Sequence, residues 1–258
     1  MRAIAINCDL GESFGTWRKG DDAAIMPLID SANIACGFHA GDPSVMAETV
    51  ALAARHGVSI GAHPGFPDLQ GFGRRPMRLS AREIEAIIAY QVGALMGVAA
   101  LHGARVTHVK THGALHNMAV VDEEMARAIC RAIRAVDPGL IHVGLAGSAL
   151  QRASEEAGLP FAVEGYIDRM YDEDGKLTAR SNPDAVHHDP ARAAAQAVAM
   201  ARDGVIITRQ GARLPVRVDT LCVHGDEPTA VAVARAARQA LKEAGITLRP
   251  LPQLRSGA

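Results

Sequence analysis

Short apolar runs alternate with longer Ala-rich stretches along most of the chain. The runs Ala3–Cys8, Ala32–Cys36, Ser59–Ala62, Val106–Lys110, His142–Leu145, Phe161–Gly165 and Leu221–Val223 predict strands. Helical spacing of apolar positions predicts helices over Pro43–His56, Ala81–Leu101, Glu123–Val136, Ser148–Ala157, Pro190–Ala201 and Glu227–Ala244. Ser80, followed three residues later by Glu83, reads as a capping box that starts the second of these helices. Repeated strand–helix units predict a parallel sheet with helices outside it. The segment Gly204–Asp219 breaks the pattern: Val205–Thr208 and Pro215–Val218 flank Gln210-Gly211-Ala212, which predicts an antiparallel hairpin on the rim.

Seven units fit a closed (β/α) barrel better than an open doubly wound sheet. An open dinucleotide-binding sheet carries GxGxxG after its first strand, whereas here that turn reads NCDLGES. No linker or low-complexity stretch interrupts the chain. The expectation is one α/β domain over residues 1–258, a TIM-like barrel with a hairpin insertion around 204–219.

Polar residues follow most of the predicted strands. Asn7, Asp9 and Glu12 end the first; Asn33, His39 and Asp42 lie in NIACGFHAGD at the second; His63 and Asp68 follow the third. Lys110 and His112 end the fourth, Asp168 and Arg169 follow the sixth, and His224 and Asp226 follow the last. A single histidine after a strand is ordinarily a satisfied loop residue. Six polar clusters ending six strands instead predict convergence at the carboxyl-end face of a barrel, where such folds place their active sites. Strand alternation puts His108, Lys110 and His112 on one face, and Ala5, Asn7 and Asp9 on one face. An inward Lys110 or Asp9 is costly to bury without a partner.

Composition removes several function classes. Lys plus Arg number 27 against 28 for Asp plus Glu, so there is no basic field for nucleic acid or anionic lipid. Aromatic residues are 3% of the chain, too few for base-stacking platforms. Cys8, Cys36, Cys130 and Cys222 form no CxxC pair and suggest a reducing compartment. The first residues lack the apolar core of a signal peptide, and the apolar stretch Ile87–Leu101 is interrupted by Gln91. A cytoplasmic protein with neither nucleic-acid nor membrane partners is expected. No GxxxxGK[ST] phosphate loop occurs. In HGALH, His112 and His116 stand four apart, which on a helix places two imidazoles on one face; with Asp9 they would make a divalent-metal triad for hydrolysis.

The blocks NCDLGES, NIACGFHAGD, AHPGFPD, VKTHGALHN and CVHGDEP, in that order, resemble the LamB/YcsF family over essentially the whole chain. One departure is His116, where the pattern VKxHGALY leads one to expect Tyr. The resemblance implies a seven-stranded (β/α) barrel related to glycoside hydrolase/deacetylase barrels. It also implies 5-oxoprolinase activity: ATP-dependent hydrolysis of 5-oxo-L-proline to L-glutamate with partner subunits B and C. ATP with Mg²⁺ would be a co-substrate of that complex, with no tightly bound organic cofactor. For this chemistry Lys110 suits stabilisation of phosphate or an oxyanion, and Asp9 or Glu12 suits positioning and deprotonation of water. His39, His63 and His112 are candidate proton carriers. Arg169 suits a bidentate grip on a carboxylate, with Asn7, Asn33, Asp42, His224 and Asp226 as further substrate contacts. Two other readings stay open from the residues: a stand-alone metal-dependent amide hydrolase or deacetylase using Asp9, His112 and His116, and a non-catalytic substrate-binding subunit.

Overall fold

The computed structural model describes residues 3–254; the ends of the expected 1–258 domain lie outside that range. Seven parallel strands close into a barrel: β1 (Ala3–Leu10), β2 (Ser31–Ala35), β3 (Ser59–His63), β4 (Val106–Lys110), β5 (Ile141–Gly144), β6 (Phe161–Tyr166) and β9 (Thr220–His224), with β9 returning to pair with β1. Between β6 and β9, strands β7 (Val205–Ile207) and β8 (Arg213–Pro215) form an antiparallel pair outside the barrel. A short parallel strand β10 (Thr247–Leu248) pairs with the first residues of β1, before β1 turns to β9 at Ala5.

Each barrel strand is covered on both faces, which is why its sequence reads as a near-continuous apolar run. In β1, Ile4, Ile6, Cys8 and Leu10 join the large core between barrel and helices. Ala5, on the other face, joins Ile141, Val143, Ala162 and Leu251 in a small cluster separate from that core. The next inward positions are polar. Asn7 donates to Thr220 Oγ1 (2.7 Å), Asn33 donates to Asn7 Oδ1 (2.8 Å), and His108 Nε2 lies 3.1 Å from Asn33 Oδ1. Gly61 on β3 makes room for the His108 ring, which a Cβ at that position would strike. The interior therefore changes from apolar to polar toward the carboxyl ends of the strands.

The helices are α1 (Asp22–Ile25), α2 (Pro43–His56), α3 (Ala81–Leu101), α4 (Gly113–Ala119), α5 (Glu123–Val136), α6 (Ala149–Ala157), α7 (Pro190–Val198) and α8 (Ala230–Glu243). Their ends follow local chemistry. Asp42 caps α2 ahead of Pro43, and Gly57 closes it in the left-handed conformation. Ser80 and Glu83 form the expected capping box on α3. Several boundaries differ from expectation: α7 ends at Val198 and continues as a π turn over Ala199–Asp203, α8 starts at Ala230 with Glu227 before it, Ser148 caps α6 from outside, and the second hairpin strand is Arg213–Pro215 and not Pro215–Val218.

By length and composition α3 is able to cross a membrane. Here it packs Ile84, Ile88, Val92, Leu95 and Ala99 into the core. The Gln91 side chain is buried, accepting from Gly65 N and donating to Gly65 O, both at 2.9 Å. It is thus a tie between helix and barrel, satisfying a loop backbone that would otherwise be buried without partners.

Candidate active site

Asp9, at the carboxyl end of β1, and Lys110, at that of β4, meet inside the barrel although 101 residues separate them: Lys110 Nζ donates to Asp9 Oδ1 at 2.9 Å. Asn33 Nδ2 donates to the same oxygen at 2.8 Å, and His63 Nε2 stands 3.4 Å from Oδ2. The ammonium also lies 2.9 Å from Glu164 Oε1 and 5.1 Å from the Tyr166 ring centroid. Burial works against its charge, yet Asp9 and Glu164 outweigh that and hold the Lys110 pKa well above its ordinary value. Burial likewise works against the Asp9 carboxylate, but His63 and Lys110 keep it well below the ordinary carboxyl range. Asp9 and Lys110 are therefore both charged at neutral pH.

This pair opens on a cavity of about 410 Å³ whose lining includes His63, Lys110, His112, Tyr166, Arg169 and His224. Five cationic side chains (Arg74, Lys110, Arg169, Lys176 and Arg180) line it against a single carboxylate, Asp9. Acids just outside the lining pair four of them (Asp226 with Arg74, Glu227 with Arg180, Asp174 with Lys176 and Glu164 with Lys110), so the opening presents cationic edges, suited to a small anion, whose charge is largely balanced behind it. Arg169 is only partly free for that purpose: Nη2 donates to Thr178 O and Nε to Ala185 O. His224 is fixed by Asp168, which accepts from both its ring Nδ1 (2.9 Å) and its backbone N–H (2.8 Å).

Behind the Asp9 side lies a compact group of three imidazoles and a carboxyl: Glu12, His39, His63 and His112. The His39 and His112 rings stack with centroids 3.7 Å apart, and His63 meets His112 edge-on. Burial drives the Glu12 pKa well above its ordinary value, with Asp226 and Asp9 adding repulsion. Burial drives His39 and His112 well below theirs. These two rings are neutral.

The remaining expected contacts are placed differently. Asn7 and Asn33 sit beneath the cavity in the interior chain of hydrogen bonds and hold Asp9 rather than line the opening. Asp42 is spent on backbone, accepting from Ser44, Val45 and Gly15 N–H groups. Asp226 is bound by Arg74 (2.9 Å) and Lys19 (3.4 Å) at the rim. The triad Asp9, His112 and His116 is not among the described groups whose donor atoms converge. His112 is the extended N-cap of α4 and not part of the helix, so the four-residue spacing does not align the two rings; His116 Nδ1 turns to Thr111 Oγ1 (3.1 Å).

Glu164, Tyr166 and Arg74 were missed by sequence. For the first two a signal existed: alternation places Ala162, Glu164 and Tyr166 on one strand face, and a carboxylate inside FAVEGY needs a cation. Arg74 lies in a loop with no such periodicity. The four cysteines are free and buried. Burial raises the thiol pKa of each, Cys36 to about 12 and Cys130 to about 11, so none is poised as a nucleophile.

The sequence profile of the LamB/YcsF family matches residues 4–256. A protein of Rhodopseudomonas palustris (strain BisB18), named as the A subunit of 5-oxoprolinase, is 57% identical over 251 residues, covering 97% of this chain and 98% of that protein. The crystal structure of the lactam utilization protein from Thermus thermophilus superposes with a TM-score of 0.91 at 46% identity, covering 96% of this chain and 99% of that one. A T48 deacetylase with substrate, 15% identical, superposes with a TM-score of 0.51 over 100% of this chain and 92% of that one and shares the fold alone.

Proposed function

The chain belongs to the LamB/YcsF family, and from that premise we propose that it is the lactam-handling subunit of an ATP-hydrolysing 5-oxoprolinase, working in the cytoplasm with subunits B and C. The net reaction converts 5-oxo-L-proline, ATP and two waters to L-glutamate, ADP, phosphate and a proton. The observation that carries the reading is the buried, charged Asp9–Lys110 pair facing a small cationic cavity. A five-membered lactam bearing one carboxylate fits such a cavity by size and by charge. The free edge of Arg169 and the neighbouring Arg180 are placed to hold that carboxylate.

An unactivated lactam resists water. Phosphoryl transfer from ATP, with Mg²⁺, to the lactam oxygen makes the ring carbon electrophilic; a first water adds and the ring C–N bond breaks with its nitrogen protonated, leaving an acyl phosphate, which a second water splits into phosphate and the γ-carboxylate. Lys110 stabilises negative charge on the reacting oxygens, and Asp9, held by Asn33 and Lys110, orients the water. Tight binding of Asp9 by its neighbours favours orientation over strong basicity, so the leaving proton passes to solvent.

Reconstitution of the chain with subunits B and C tests this. The complex is expected to release glutamate and phosphate in equal amounts from 5-oxoproline and ATP. Absence of 5-oxoproline-dependent phosphate release, with all three subunits folded and associated, overturns it.

A further inference from the structure

His63 and His112 are each oriented by a backbone carbonyl. Lys110 O lies 2.7 Å from His63 Nδ1, and a carbonyl only accepts, so His63 Nδ1 carries hydrogen. By the same reasoning the hydrogen of neutral His112 is on Nε2, 2.8 Å from Phe72 O. The other two ring nitrogens, His63 Nε2 and His112 Nδ1, face each other at 3.0 Å, and the same His63 nitrogen lies 3.4 Å from Asp9 Oδ2. Either a proton or a metal ion satisfies two ring nitrogens at that distance. Glu12 Oε1 lies 3.7 Å from the same His112 nitrogen and 3.6 Å from His39 Nε2. His39 is 1% exposed, and neither of its ring nitrogens has a hydrogen-bond partner.

We propose that Glu12, His39, His63 and His112 bind one divalent transition-metal ion of the zinc class. Their donor atoms all lie within 4.8 Å of one another. Metal–ligand bonds of about 2.0–2.2 Å in a tetrahedral site separate the donors by roughly 3.3–3.6 Å. The Glu12 oxygen stands 3.6 Å from His39 and 3.7 Å from His112, and the stacked His39 and His112 rings must tilt apart for both lone pairs to meet the ion. Three imidazoles and one carboxylate select zinc-like ions over Mg²⁺ or Ca²⁺, which favour all-oxygen shells. Burial keeps His39 and His112 neutral, the form that coordinates. The surroundings supply outer support: Phe72 O orients His112 and Lys110 O orients His63. His112 lines the cavity, which gives an ion its way in. The site is distinct from the Mg²⁺ that accompanies ATP and does not depend on which substrate fills the cavity.

The test uses the full chain, stripped with chelator and titrated with Zn²⁺ and then Co²⁺ in the absence of 5-oxoproline and ATP. One equivalent of each should bind, with Co²⁺ giving the visible absorption of a low-coordinate nitrogen–oxygen site. Glu12→Gln and His39→Asn should each weaken binding by at least the ~10–100-fold that loss of an outer support costs. His116→Asn, outside the group, should leave it unchanged. No saturable binding to the wild-type chain overturns the proposal whether or not the variants fold. So does equal affinity in wild type and folded His39→Asn, or ¹⁵N spectra showing a proton shared between His63 and His112 in the metal-loaded sample. Calorimetric binding of 5-oxoproline, measured separately, distinguishes failure of this site from failure of the lactam reading.

Discussion

An ammonium held between two carboxylates and away from water is stable only as a set. Lys110→Met strands Asp9 and Glu164, so unfolding free energy should fall by about 3–5 kcal/mol, read by denaturant titration. Adding Glu164→Gln should recover part of that stability. Turnover in the reconstituted complex, reduced on the order of 10²–10³-fold by Lys110→Met, should not recover with it. Recovery of both would show Lys110 to be structural alone. Asp168 gives a prediction with a sign in pH. Burial raises its carboxyl, but the His224 ring and the hydrogen bonds from His224 hold it below the ordinary value. The unfolded chain therefore takes up this proton first as pH falls. The stabilisation is complete above the ordinary carboxyl range, near about 4, and disappears as pH drops through the lower folded value. The melting-temperature gap between wild type and Asp168→Asn should be widest at neutral pH and narrow in acid.

At the scale of elements, the strands were legible because parallel strands covered on both faces show as short apolar blocks. The helices were legible because Asp42, Ser80 and Ser148 cap them and Gly57 and Gly158 end them. The same features leave one position ambiguous. Asp42 follows His39 in NIACGFHAGD and looks like part of a polar cluster, yet an acid before Pro is equally a helix cap, and only the folded backbone separates the two. Asp42→Ala should cost about 1 kcal/mol of stability, the size of a lost cap, while leaving the KM for 5-oxoproline within twofold. A KM rise of tenfold or more would restore Asp42 as a substrate contact. Gly61 tests the packing of the polar interior. A methyl group there meets the His108 ring, so Gly61→Ala should destabilise by roughly 1–3 kcal/mol and disturb the His108–Asn33–Asp9 chain.

For the whole molecule, the cationic cavity is small and the chain carries no recognisable phosphate loop. The isolated chain should bind 5-oxoproline but release negligible glutamate with ATP and Mg²⁺, activity appearing on addition of subunits B and C. Full turnover by the chain alone would contradict that division of labour. The order of strands, the apolar outer faces and the concentration of His, Asp and Lys at the carboxyl ends were all determined by the sequence itself, since each depends on local periodicity and on residues near in the chain. Which of those groups meet was decided only by closure of the barrel. Closure pairs β9 with β1 and brings Lys110 to Asp9 and to Glu164, an acid hidden within an apolar run. It also turns His112 toward His63 and Glu12 and away from His116, because the chain is still extended at His112 and becomes helical only at Gly113. Side-chain alternation along a strand states which residues point inward; the partner each finds depends on register and curvature summed over all seven strands, and no single segment contains that information.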